Sequence, residues 1–120
     1  MAEARRYRSQ RQEQKIMQTK ITLIIDNPAD AAAFESEFPA LARRAAALPG
    51  LARIESAKVW PKEDGTPTPA HRTLDLYFDD YDAASRAVTT PEGGAFFEQL
   101  TGLKVGFTGL FSEVEDSRTA

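Results

Sequence analysis

The stretch TKITLIID, residues 19–26, constrains the fold more than any other in the chain. It is rich in β-branched residues, and strict alternation puts Ile21, Leu23 and Ile25 on one face, the pattern of a half-buried strand. Helix-starting signals follow at once. Asn27 can cap a helix, Pro28 suits the first helical position, and Asp30 favours the positive end of the helix dipole. Ala31, Phe34, Phe38, Leu41, Ala45 and Leu48 then recur every three or four residues, one apolar helical stripe. Glu35, Glu37, Arg43 and Arg44 fall opposite it. Pro39 lies inside the pattern and predicts a kink or break near 35–39. LPG at 48–50 ends the helix.

The remaining segments repeat this grammar. LARIESAKVW, 51–60, and HRTLDLYF, 71–78, read as strands. The Pro/Gly-rich PKEDGTPTPA between them predicts an antiparallel hairpin. Asp79 or Asp80 caps a helix carrying Tyr81, Ala84 and Val88. TTPEGG breaks it, and Pro91 starts a further short turn of helix with Phe96, Phe97 and Leu100. LKVGFTGLFSEV, 103–114, is a fourth strand. The order is β-α-β-β-α-β, an α+β chain of ferredoxin-like pattern: an antiparallel four-stranded sheet with its helices on one face.

Such a sheet leaves its other face bare. By alternation that face holds Thr22 and Ile24, then His71, Thr73, Asp75 and Tyr77, then Thr108 and Leu110. The mixture is too apolar for a plain wet surface and too polar for a core. A twofold copy of the chain is the simplest cover, so a homodimer with sheets face to face is expected.

Composition closes off several classes. A chain of 120 residues is one domain and buries roughly two-thirds of the surface its unfolded form exposes. With no cysteine and one histidine there is no disulfide, no thiolate nucleophile and no zinc ligand set. The carboxylates Asp79, Asp80 and Asp82 are helix caps by position, so no metal site is expected. The glycines of GLKVGFTG sit in an alternating strand and cradle no phosphate. No signal or membrane-spanning stretch is visible, which leads to the expectation of a cytoplasmic protein. Residues 1–18 carry five cations against two carboxylates, a net +3 within a whole-chain charge of −3. They read as a basic extension, flexible or helical, beside an acidic domain at 19–114 and a short tail at 115–120. The acidic body argues against nucleic acid as a partner.

Two groups of residues are candidates for chemistry. The aromatics Phe34, Phe38, Trp60 and Phe97, with Leu41, would line an apolar pocket between the sheet and the first helix, Trp60 at its mouth. His71 and Tyr77 are the proton-transfer candidates, placed by alternation on the same sheet face.

The pattern resembles the EthD family of the dimeric α+β-barrel superfamily. The resemblance is carried by KITLIIDNPADAAAF (20–34), LPGL (48–51), LDLYFDDYDAASRAV (74–88) and TPEGGAF (90–96). It implies a ferredoxin-like monomer pairing through its sheets into a barrel, with a pocket for a small apolar or aromatic molecule. It also implies a possible oxidoreductase, in a superfamily that includes cofactor-free monooxygenases, polyketide cyclases and haem enzymes. A typical member carries a histidine in the first helix shortly before Leu-Pro-Gly. Leu41 or a neighbour occupies that place here, which favours a non-catalytic binding or accessory module as the alternative. No cofactor is indicated, since a haem would find no second histidine.

Overall fold

The computed structural model describes residues 17–119. It contains β1 (Thr19–Ile25), α1 (Ala31–Ala46), β2 (Leu51–Lys58), β3 (Arg72–Phe78), α2 (Tyr81–Val88), α3 (Pro91–Gly102) and β4 (Phe107–Glu113). The basic extension expected at 1–18 lies outside the described residues, apart from Met17 and Gln18.

The four strands form one antiparallel sheet in the order β2-β3-β1-β4, with the helices against one face. β1 is central. Ile21, Leu23 and Ile25 are buried opposite Leu76, Leu74 and Arg72 of β3, and opposite Phe111, Gly109 and Phe107 of β4. This is the ferredoxin-like fold that the order of elements predicts.

α1 presents Phe34, Phe38, Leu41 and Ala45 to the sheet, each buried. Removing a Phe or Leu side chain of this kind from water contributes about 1.5–3 kcal/mol. Two expectations about this helix need correction. Its cap is Asp30, whose carboxylate accepts from the Ala33 N–H at 3.0 Å. Asn27 instead turns its side chain to a distant loop. Pro39 does not break the helix, which runs unbroken from Ala31 to Ala46. Only the carbonyl of Glu35, four residues earlier, loses its helical donor.

The C-terminal elements also depart from expectation. In place of a short turn, α3 is a 12-residue helix: Thr90 accepts from Gly93 N–H and Pro91 takes a first-turn position. Gly93 is there because α3 starts against the end of α2. A Cβ on it would clash with the Ala87 carbonyl oxygen. β4 begins at Phe107 instead of 103, because Leu103 caps α3 and Lys104 adopts the left-handed conformation, φ 56°. Among the described residues no helix is long and apolar enough to cross a membrane.

Candidate functional site

β3 carries an anomaly in its register. Residues in phase with Leu74, Leu76 and Phe78 face the helices, and Arg72 is in phase with them. A guanidinium on the apolar side of a sheet needs a counter-charge. Glu35, one position beyond Phe34 on α1, supplies it. Arg72 grips the carboxylate in a fork, Nε to Oε2 at 2.9 Å and Nη2 to Oε1 at 2.8 Å. Its guanidinium also lies over the Phe38 ring, 4.2 Å from the centroid, a cation–π contact.

His71 completes the cluster. Its Nε2 lies 2.7 Å from Glu35 Oε2, and its ring stands edge-on to Phe34 at 5.4 Å and 87°. The backbone holds it from both sides: its N–H donates to the Ile25 carbonyl, and its own carbonyl accepts from Val59 N–H. The side chains of His71 and Arg72 are 15% and 16% exposed and that of Glu35 28%, so water reaches the cluster from one side. Lys58 stands at the rim, 4.0 Å from Glu35 Oε1.

The hydrogen bond from Arg72 holds the Glu35 carboxyl at about 2, against an ordinary 4.5. Partial burial opposes this, and the His71 hydrogen bond and the charges of Arg72 and Lys58 add to it. Glu35 is therefore ionised at neutral pH and can only accept. His71 must then carry its proton on Nε2, leaving the lone pair of the neutral ring on Nδ1. A carboxylate that fixes a histidine's tautomer and orientation is the arrangement used to prepare an imidazole for proton transfer.

An open cleft of about 270 Å³ adjoins this histidine. Asn27, Val59, Pro61, Gly65, Thr66, Pro67, Thr68, Ala70 and His71 line it. Its walls are polar and apolar in about equal measure, and His71 supplies its one imidazole. A larger opening of about 520 Å³ between α1 and α3 has Arg43, Arg44, Glu98 and Gln99 as its polar lining and does not include the histidine. Volume alone is thus a poor guide to where chemistry could occur.

The structure divides the residues proposed from sequence. Leu41 is wholly buried and packs in the core with Phe34 and Phe38, so the space between sheet and α1 is filled where a pocket was expected. Phe97 packs between Phe96 and Phe107, at ring distances of 4.9 and 6.2 Å. Trp60 projects outward, 85% exposed. Phe34 alone of this set touches His71, and it also lines a separate cleft of about 360 Å³ at the start of α1.

His71 and Tyr77 do not share a face. Tyr77 lies on the open side of the sheet, beneath the Arg53 guanidinium at 4.1 Å, its hydroxyl donating to Glu55 at 3.2 Å. Burial, then Glu55, raises its phenol above the ordinary value. His71 lies on the helix side because it precedes β3 by one residue, where strand alternation no longer fixes direction. Arg72 and Glu35 were missing from the sequence-based set. The usable signal was Arg72 itself, a charge in the register of three core residues. Among the described residues no group of three or more metal-ligating side chains occurs.

No family model and no curated protein matches the chain. Solved structures do. An EthD family protein from Bacillus halodurans superposes with a TM-score of 0.76 at 22% identity, over 82% of this chain and all of the other. SnoaB, a cofactor-independent oxygenase from Streptomyces nogalater, matches with a TM-score of 0.58 at 21% identity, over 86% of this chain and 96% of its own. A dimeric ferredoxin-like protein of unknown function from Thermobifida fusca gives 0.64 at 14% identity, over 83% and 93%. At these identities the likeness establishes the fold.

Proposed function

We propose that the chain is an EthD-like homodimer that binds a small apolar or aromatic molecule in the cleft beside His71, and that His71 transfers a proton to or from it. The observation that carries this reading is the Nε2–Glu35 hydrogen bond, which fixes the tautomer of a histidine that lines a cleft with Val59, Pro61, Pro67 and Ala70 beside Asn27, Thr66 and Thr68. Glu35 and Arg72 are positioning residues: they hold the ring and its tautomer without touching substrate. Phe34 backs the imidazole with an apolar edge. Tyr77, on the opposite face of the sheet, has no part in this step.

Proton abstraction alone needs no cofactor. The oxidoreductase reading requires an electron acceptor as well. Dioxygen in that role would give cofactor-free oxygenase chemistry, the class to which SnoaB belongs. Pairing through the open sheet face is supported by its half-buried Ile24 and exposed Leu110 and by the dimeric state of the T. fusca neighbour.

2-Tetralone, an aromatic ketone with an acidic C–H, is a suitable probe. Deuterium wash-in at its C1 position in D₂O, followed by NMR, is expected to run faster with the protein than with buffer. It should fall to the buffer rate with His71→Ala and drop at least tenfold with Glu35→Gln, both variants keeping the wild-type circular dichroism. Exchange unaffected by His71→Ala would overturn the assignment. The second reading, a non-catalytic binding module, is favoured by the filled layer between α1 and the sheet. It predicts binding of the ketone with exchange at the buffer rate.

A further inference from the structure

The cleft beside His71 has a roof made from a single segment. Residues 60–70 connect β2 to β3, and six of them, Pro61, Gly65, Thr66, Pro67, Thr68 and Ala70, line the cleft. The segment is stiff within itself. Gly65 N–H closes a turn on the Lys62 carbonyl, with Gly65 at φ 81°. Asp64 accepts from both the N–H and the hydroxyl of Thr66, and the Thr68 hydroxyl donates to the Ala70 carbonyl. Three prolines remove further freedom.

Its attachment is slight by comparison. Both ends are anchored where Val59 N–H meets the His71 carbonyl. Beyond that, among the described residues, one hydrogen bond joins it to the rest of the chain: Asn27 Nδ2 donates to the Thr68 carbonyl at 2.7 Å. Asn27 follows the end of β1 and is not used as a helix cap, which falls to Asp30. A rigid flap with adjacent ends and one cross-link is built to move as a unit.

We propose that residues 60–70 form a lid over His71 and that Asn27 is its latch. With the Asn27–Thr68 bond made, the lid limits access to the imidazole. With it broken, the lid swings on Val59 and His71 and the cleft widens. The proposal rests on the reading of that cleft as the substrate site, but its test does not depend on catalysis.

His71 is the only histidine in the chain, so in protein without an affinity tag the 240-nm absorbance of N-carbethoxyhistidine reports this ring alone. Diethyl pyrocarbonate should modify His71 at least fivefold faster in Asn27→Ala than in the wild type at pH 7. Asn27→Asp keeps the size but loses the N–H donor, and should behave the same way. Matching circular dichroism in all three establishes that the fold is kept. Equal modification rates in the wild type and both variants would overturn the latch. If the rates differ while 2-tetralone exchange stays at the buffer rate, the lid stands and the proton-transfer assignment falls.

Discussion

The two faces of the sheet hold nearly the same chemical parts and use them differently. On the helix side Arg72, Glu35 and Phe38 form a carboxylate–guanidinium–aromatic cluster with His71 attached. On the open side Arg53, Glu55 and Tyr77 form another. In the first, the His71 and Arg72 side chains are 15% and 16% exposed and the Arg72 fork is bidentate. In the second, Arg53 and Glu55 are more than half exposed and joined by one 2.7 Å contact. Enclosure makes the difference: α1 shields one cluster on all but one side, whereas Arg53 and Glu55 of the other stand more than half in water in a single copy of the chain. The same ion pair is therefore a fixed positioning device on one face and an adjustable surface feature on the other.

Mutation can break this contrast, and the largest effect should come from the enclosed side. Glu35→Ala leaves Arg72 and His71 without their acceptor and should cost about 2 kcal/mol of unfolding free energy in urea. Glu55→Ala on the open face should cost no more than about 0.5 kcal/mol. Equal losses would mean that α1 does not set the two clusters apart.

Acid should sharpen it. Because Glu35 is held at about 2 against 4.5, the unfolded chain takes up the proton first as pH falls. The stabilisation from Glu35 is thus complete above about 4.5 and disappears as pH drops to about 2. Urea midpoints of wild type and Glu35→Gln, well separated at pH 6, should converge across that window.

The open face should answer to association instead. Leu110, 47% exposed beside Thr22, lies on the face proposed to meet a second copy. Leu110→Asp should weaken dimerisation at least tenfold in light scattering, with little change in a monomer's fold. The smallest effect belongs to Tyr77→Phe. It removes one half-wet hydrogen bond and should cost under about 1 kcal/mol, with no change in His71 chemistry.

Much of this architecture was legible in the residues. Ile21, Leu23 and Ile25, then Leu74, Leu76 and Phe78, alternate without exception, and the α1 stripe steps regularly, because each buries one face against a common core. The site was far less legible. Glu35 sits at the edge of that stripe and reads as solvated until Arg72, nearly forty positions later, is known to lie over it. His71 was assigned by alternation one residue before the strand begins. Trp60 looked like the mouth of a pocket, yet its position just past the end of β2 turns it outward. Periodicity reports which side of an element is apolar; it does not report which charges from two elements meet.

The placement of β1 also dictates the order in which the molecule can be assembled. Among the described residues the first strand made is the central one, and its partners β3 and β4 come later, Ile21 waiting for Leu76 on one side and Phe111 on the other. On a ribosome, one edge of β1 stays unpaired until β3 has emerged, and the other until nearly the whole domain has. The α1 helix can form early, but the sheet it packs on cannot. Folding should therefore be governed by long-range closure, and a chain stopped before Phe107 would keep an aggregation-prone open edge on its most apolar strand.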